Sequence, residues 1–262
     1  MNHQRYYKAG FKKSVSDTHN WRKVKNSVDF IEPYLKPEHT VLDVGCGPGS
    51  ITIDLANYVK GKIVGVEPTE ELLDVARENL SKLDDRLSEQ VTFQLGSIYE
   101  LPFPDKSFDV VFAHQVIIHL EFPEKGLKEM ARVAKKLVLV KDSDTASVVT
   151  YPDVYQDIFT RYFNRSKSGF TKLTAGRSLK ETAIKAGYDP KRIVSSASVW
   201  NISNYDDRER WADMILARIE SSGELDSSSS EEVDGFKQAW RNWKTDEAGW
   251  LSILHGEIAY SV

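Results

Sequence analysis

Apolar positions along this chain fall into two alternating patterns, short unbroken runs and stretches with apolar residues three and four apart. The runs at 41–44, 62–67, 91–95, 108–113 and 137–140 predict strands. The three-and-four spacing predicts helices over 50–59, about 69–80 and 123–134. Punctuation agrees with these bounds. Gly61 stops the first helix, Thr69 after Pro68 is placed to cap the second, and the turn Pro104-Asp105-Lys106-Ser107 leads into the fourth strand. Strands that alternate with helices pair in parallel through helical crossovers, so five parallel strands of an α/β sheet are expected before residue 145.

Past residue 145 the rhythm changes. Helices are predicted over 152–165 and over 178–186, the latter stopped by Gly187, followed by a strand over 192–200. Two further helices, 206–220 and 231–243, flank a polar, serine-rich loop at 221–230, and a strand over 257–261 closes the chain. No internal repeat is visible. The expected organisation is one domain over 1–262, with an N-terminal cap over 1–35, a cofactor-binding core over 36–145 and a C-terminal part over 146–262. That last part carries a helical insertion at about 203–250.

Composition narrows the function classes. Hydrophobic residues make up 40% and charged residues 28%, enough apolar side chains for a folded core. The net charge is −4 and Lys and Arg lie among Asp and Glu, so no basic stripe suits a nucleic acid backbone. Cys46 is the only cysteine, which leaves no internal disulfide or thiolate metal cluster, and no metal is expected. The opening MNHQRYYKAGFKK lacks the apolar run of a signal peptide, and no stretch of about 18 apolar residues is present. A cytoplasmic protein without a membrane span, monomeric or homodimeric, is the expectation.

The strongest chemical signal is Val41-Leu42-Asp43-Val44-Gly45-Cys46-Gly47-Pro48-Gly49, set between a predicted strand and a predicted helix. Glycines there let the backbone turn tightly and let a ligand approach bare amides. Glu67, about twenty residues on at the end of the next strand, is placed to accept both hydroxyls of a ribose. A nicotinamide or flavin dinucleotide fits this much equally well. Asp43 separates the two readings, because a carboxylate just ahead of the turn repels a pyrophosphate and suits a ligand carrying an ammonium and a sulfonium. Ser50, where the dinucleotide pattern has Gly or Ala, points the same way.

VLDVGCGPGSITIDLA, VGVEPTEELLDVARENL, VTFQLGSIYELPFPDKSFDVVFAHQVIIHL and EKGLKEMARV together resemble the class I S-adenosylmethionine-dependent methyltransferases, in particular the branch similar to the ubiquinone/menaquinone-biosynthesis C-methyltransferases. The resemblance covers about residues 19–142. It implies a Rossmann-like, seven-stranded, mostly parallel sheet with helices on both faces, an antiparallel last strand, and helical cap elements at both ends. It implies that Asp43 and the turn from Gly45 through Cys46 and Gly47 to Gly49 hold the methionine part of S-adenosylmethionine, and that Glu67, followed by Pro68, holds the ribose. Gly96, Ser97 and Ile98 then flank the adenine, and His114 and Gln115 close over the methionine and face the acceptor. The chain departs from the family pattern at Ser97, where an acid is usual, and at Ala134-Lys135-Lys136-Leu137, which replaces a longer turn before the fifth strand.

Methyl transfer from a sulfonium depends mostly on positioning and desolvation, so a base is optional. His119, after the fourth strand, is the candidate where one is used. His19 and His255 reach the site only if the termini fold over it. Tyr6, Tyr7, Phe11 and Trp21 precede the first strand and resemble the segment that caps the cofactor in this family. Of Trp200, Trp211, Trp240, Trp243 and Trp250, no more than one, Trp200, is assigned to the acceptor. Cys46 reads as small turn filler, since no neighbouring cation lowers its pKa. The expected function is methyl transfer to a small hydrophobic or aromatic molecule. An NAD-dependent oxidoreductase and a non-catalytic cofactor-binding or scaffold protein are the alternatives.

Overall fold

The computed structural model describes residues 19–83, 85–165, 171–221, 225 and 228–262. Tyr6, Tyr7, Phe11 and half of the serine-rich loop at 221–230 lie outside the described residues.

The first half follows the apolar pattern. Strands β1 (Val41–Val44), β2 (Ile63–Glu67), β3 (Val91–Leu95) and β4 (Phe108–His114) pair in parallel, and β5 (Ala134–Tyr151) continues the parallel set. A seven-stranded sheet in the order β3-β2-β1-β4-β5-β7-β6 is completed by β6 (Ile193–Ile202) and β7 (Trp250–Ser261). β7 runs antiparallel to both its neighbours. The sheet is therefore mostly parallel and Rossmann-like, with its order reversing between β1 and β4.

Alternate side chains of one strand point to opposite faces. Val111 and Ala113 join Leu42, Val138 and Val140 in one core, against Leu127 and Met130 of a helix over Pro123–Val133 and Leu179 of a helix over Ala175–Lys185. Val110 and Phe112 join Val41 and Leu139 in the other, against Val24, Ile31, Ile53 and Leu55. With helices covering both faces, the central strands are apolar throughout, which is why they read as unbroken runs.

Several elements differ from expectation. The first predicted helix is a short α1 (Ser50–Asp54) that tightens into a 3₁₀ turn at Leu55–Asn57, while α2 (Glu70–Ser81) matches the pattern. The helix predicted over 152–165 is a 3₁₀ turn, Asp153–Tyr155, leading into Gln156–Phe163, and the one predicted from residue 178 starts at Ala175. A helix at Asp85–Gln90 has no counterpart in the prediction. The largest change is in β5 and β7, which run on past the parallel strands as antiparallel neighbours, reaching Tyr151 opposite Trp250 with β6 along the other side of β7. Their outer halves escape an apolar reading because β5 there carries Lys141, Asp142, Ser143, Asp144 and Thr145, all buried and polar.

Two long helices lie between β6 and β7, α3 (Tyr205–Ser221) and α4 (Ser230–Thr245), the second capped by the Ser229 side chain, which accepts from Glu232 N. They pack with Phe159 and Tyr162 as a third core in which Trp240 and Trp243 are fully buried. No described helix is long and apolar enough to cross a membrane.

Candidate active site

β1 delivers Asp43 to the point where the strand order reverses, and the turn that follows is drawn onto β2. The amides of Gly45 and Cys46 both donate to Val66 O, at 2.7 and 3.1 Å. A side chain at Gly45 would collide with Val116, which packs against the turn. Gly47 differs. Its φ is +53°, left-handed like that of Gly45, but the space where a Cβ would stand is open. Its amide donates to Glu67 Oε2 at 3.1 Å, joining the turn to the end of β2.

These groups open onto a cavity of about 260 Å³. Asp43, Gly45, Cys46, Gly47, Glu67 and Pro68 line one end, with Gly96 and Ile98 beside them. Asp43 is 3% exposed, and Thr52 Oγ1 donates to its Oδ2 at 2.6 Å. Loss of water raises its pKa to about 7, against the Thr52 hydrogen bond. Glu67 is likewise pushed up to about 7 by burial, although the amides of Gly47 and Thr69 support its ionised form. Burial and the two neighbouring carboxylates push the Cys46 thiol up, so it stays protonated and unreactive.

The other end of the cavity is assembled from distant parts of the chain. Three contacts fold the segment before β1 over the first helices. Ser50 Oγ donates to His19 O at 3.0 Å, Asn79 Nδ2 to Asn20 Oδ1 at 3.3 Å, and Val24 N to Asp54 Oδ2 at 2.8 Å. His19 and Arg22 thereby reach the cavity wall. After β4, Gln115 takes φ +55° and the chain makes a 3₁₀ turn, Ile117–His119. Asp142 on β5 holds that turn, accepting from Ile118 N at 3.0 Å and from Ser143 N at 2.9 Å.

His255, from β7, shows how its ring is set. Nδ1 lies 3.1 Å from Ile253 O, which can only accept, so Nδ1 carries the proton and Nε2 accepts from Gln115 Nε2 at 3.1 Å. Burial and the Lys141 ammonium hold its pKa down, at about 3. His114 is also held well below the usual range, chiefly by burial and then by Arg22. Both are neutral rings at pH 7. Around them stand Trp200 and Trp211, with rings at 5.7 Å, and Trp21 backs both at 5.8 and 6.4 Å.

Residues 35–172 match the family model described as a methyltransferase domain. The chain is 38% identical over 268 residues to an uncharacterised methyltransferase of Schizosaccharomyces pombe, covering 98% of this chain and 96% of that protein. The chain belongs to the S-adenosylmethionine-dependent methyltransferases. It is also 33% identical over 160 residues, 60% of each chain, to a demethylmenaquinone methyltransferase of Desulfitobacterium hafniense. In fold it resembles the YcgJ protein of Bacillus subtilis, with a TM-score of 0.53 at 24% identity over 88% of this chain and 96% of that one. It also resembles a Haemonchus contortus phosphoethanolamine N-methyltransferase in complex with S-adenosyl-L-methionine, at 0.56 and 17% over 97% and 60%.

As a methyltransferase, the protein brings most of its sequence-predicted site residues to one cavity: Asp43, Gly45, Cys46, Gly47, Glu67, Pro68, Gly96, Ile98, His114, Gln115, His119 and Trp200 all line it. Gly49 does not; it sits behind the turn, where a Cβ would strike Phe93 and Ala76. Ser97 does not either, because its hydroxyl accepts from Tyr99 N at 3.2 Å inside its own turn. Trp21 stands behind the wall. Of the five later tryptophans, Trp200 and Trp211 both line the cavity, whereas Trp240 and Trp243 are core.

Asp142 and Arg218 were not singled out by sequence, Trp211 only as one of five tryptophans, Arg22 only as part of the segment that precedes the first strand, and His19 and His255 only on condition that the termini fold over. A Tyr-x-x-x-Lys spacing of the kind oxidoreductases use occurs at Tyr58 and Lys62, but both precede β2, at the opposite end of that strand from Glu67, and neither lines the cavity.

Proposed function

We propose that the protein transfers the methyl group of S-adenosylmethionine to a small, ring-bearing organic molecule held against Trp200 and Trp211. One observation carries the reading: a single cavity runs from two buried carboxylates, Asp43 and Glu67, to that aromatic wall. The cofactor fits the first end. Buried acids whose charge is costly are stabilised by a cationic ligand, and the open space at Gly47 admits one to the backbone. Asp43 and the Gly45–Gly47 turn hold the methionine part, Glu67 with Pro68 the ribose, and Gly96 with Ile98 the adenine. His114 and Gln115 close over the methionine.

When bound, S-adenosylmethionine supplies a methyl group on a positive sulfur that departs as a neutral thioether. The chain's own part is to align the acceptor and keep water out, which is where most of the acceleration in such a displacement arises. His119, on the turn braced by Asp142, is the group placed to hold a proton released by a hydroxyl or carbon acceptor.

Calorimetric titration with S-adenosylhomocysteine tests the cofactor half. Asp43→Ala should weaken binding about 10- to 100-fold, and NADH should not bind. Unchanged affinity in Asp43→Ala would remove the basis of the reading. For the acceptor half, Trp200→Ala and Trp211→Ala should leave that affinity unaltered and slow turnover of labelled methyl donor against a pool of aromatic metabolites.

A further inference from the structure

Gln115 is pinned twice, by two strands that come from later in the chain. Its backbone amide donates to Lys141 O of β5 at 2.9 Å, and its side-chain nitrogen lies 3.1 Å from Nε2 of His255 on β7. Its φ of +55° is a left-handed conformation that a residue with a Cβ keeps only where its surroundings hold it. The side chain lines the cavity, and its Oε1 accepts no hydrogen bond among the described residues.

The two ends of a side-chain amide are nearly equal in size, so half a turn exchanges donor for acceptor and packing alone does not choose between them. The His255 ring does choose. Ile253 O, at 3.1 Å, holds the one proton of the neutral imidazole on Nδ1, which leaves Nε2 able only to accept. A turned Gln115 would set its carbonyl oxygen against that lone pair. Burial and the Lys141 ammonium keep the ring uncharged. Lys141 is itself held 3.1 Å from Glu257, whose carboxylate accepts from Ser196 and Ser198 at 2.8 and 2.6 Å. Ser143 and Ser198 flank His255 in the sheet, and Trp200 packs on its ring with centroids 4.4 Å apart, so the ring has little room to turn.

We propose that His255 is a positioning residue that holds Gln115 with its carbonyl oxygen toward the cavity, so that the site favours methyl acceptors presenting an O–H or N–H group to that oxygen. This rests on the assignment of that end of the cavity to the acceptor. The ammonium of the cofactor's methionine part is a second donor of the same kind, and the test separates the two sources. An acceptor that offers only lone pairs there meets an oxygen instead of a partner.

The ring-nitrogen NMR spectrum of protein isotope-labelled at histidine should contain, at pH 7, a neutral imidazole protonated on Nδ1 that is absent from His255→Gln. With S-adenosylhomocysteine bound at saturation, indole and benzofuran, which share a shape and differ in the N–H donor, are titrated by calorimetry. Indole should bind about three- to tenfold tighter, the worth of one hydrogen bond. His255→Phe, which keeps a ring against Trp200, and Gln115→Met should each bring the two probes to within about a factor of two. His255→Gln, whose amide oxygen can accept from Gln115, should restore part of the margin. S-adenosylhomocysteine affinity should change by less than about a factor of two in all three variants. Thermal melts identify any variant that fails to fold, and the others then decide together with the spectrum of the unaltered protein.

A His255 ring protonated on Nε2, or on both nitrogens, overturns the inference. So does equal binding of the two probes by the unaltered protein, or a margin that His255→Phe and Gln115→Met leave in place. If S-adenosylhomocysteine affinity falls together with the margin, the amide serves the cofactor's ammonium and the inference is overturned. Absence of binding by either probe up to about 10 mM, or binding that Trp200→Ala and Trp211→Ala leave unchanged, instead removes the assignment of that end to a ring-bearing acceptor, and the preference with it.

Discussion

At Asp43 a carboxyl group with one side-chain hydrogen bond, from Thr52, is cut off from water, and its pKa stands at about 7 against 3.8 in an exposed chain. The sign of the consequence follows from proton counting. Between those two values the folded protein holds a proton that the unfolded chain has released, so stability is greatest below the unfolded value and falls as pH rises through about 7. The ammonium that S-adenosylhomocysteine shares with the methyl donor favours the ionised form, so affinity for that product should move the opposite way, rising through the same range to a plateau. Asp43→Asn keeps an acceptor for Thr52 and removes the titration. Its melting temperature without ligand should exceed that of the unaltered protein by about 2–4 °C at around pH 8, with the gap closing in acid. The same variant should bind S-adenosylhomocysteine weakly at every pH. Melting scans across the range with and without the ligand check both, and a variant that is less stable in alkali would show that the buried charge is compensated in some other way.

Among the elements, β5 ties the site together. Its inner half is apolar and central, and its outer half carries Asp142 against the His119 turn, Lys141 against Glu257 of β7, and Asp144 against Arg177. Asp142→Ala would leave two buried amides, of Ile118 and Ser143, without an acceptor. It should cost roughly 1–3 kcal/mol in unfolding free energy and loosen the turn that presents His119. Turnover should fall more than affinity for S-adenosylhomocysteine, because Asp142 lies away from the acids at the cofactor end. Parallel losses in both would show instead that the whole β4–β5 margin collapses. β5 also marks how much could be read from sequence. The cofactor end was legible because its signals are local: an apolar strand, a glycine turn and Glu67 fall within about 25 residues. The other end was legible only in part, because His114, Gln115, His119 and Trp200 carry a signal in sequence whereas Arg22, Asp142, Trp211, Arg218 and His255 join them only when the chain is folded. The polar strand that gathers several of them has none of the apolar alternation by which strands are recognised. Ser97 stays out of the cavity lining for a related reason, since a short hydroxyl that satisfies an amide of its own turn looks the same in sequence as one offered to a ligand.

For the molecule as a whole, the position of the last strand sets the order in which the site can form. β7 lies between β5 and β6, so a strand that follows both in sequence closes the sheet between them, pairing Val138 with Tyr260 and Val194 with Ala259. Both neighbours depend on it. Without β7 the edge of β5 from Leu137 to Tyr151 has no partner on that side, β6 has no sheet to join, and Lys141 loses Glu257 as its buried counter-charge. An unpaired buried cation and two rows of unpaired backbone groups each cost several kcal/mol, against a total stability of about 5–15 kcal/mol. A chain ending at Gly249 should therefore fail to reach the native state although the glycine turn, Asp43 and Glu67 are all present in it. Circular dichroism, melting and S-adenosylhomocysteine titration of that truncation give the answer together. A cooperative melt with retained ligand binding would mean that the five parallel strands fold on their own and that β7 only completes the acceptor side. Loss of both would mean that cofactor and acceptor ends form as a single unit, which is the outcome the buried Lys141–Glu257 pair and the central place of β7 require.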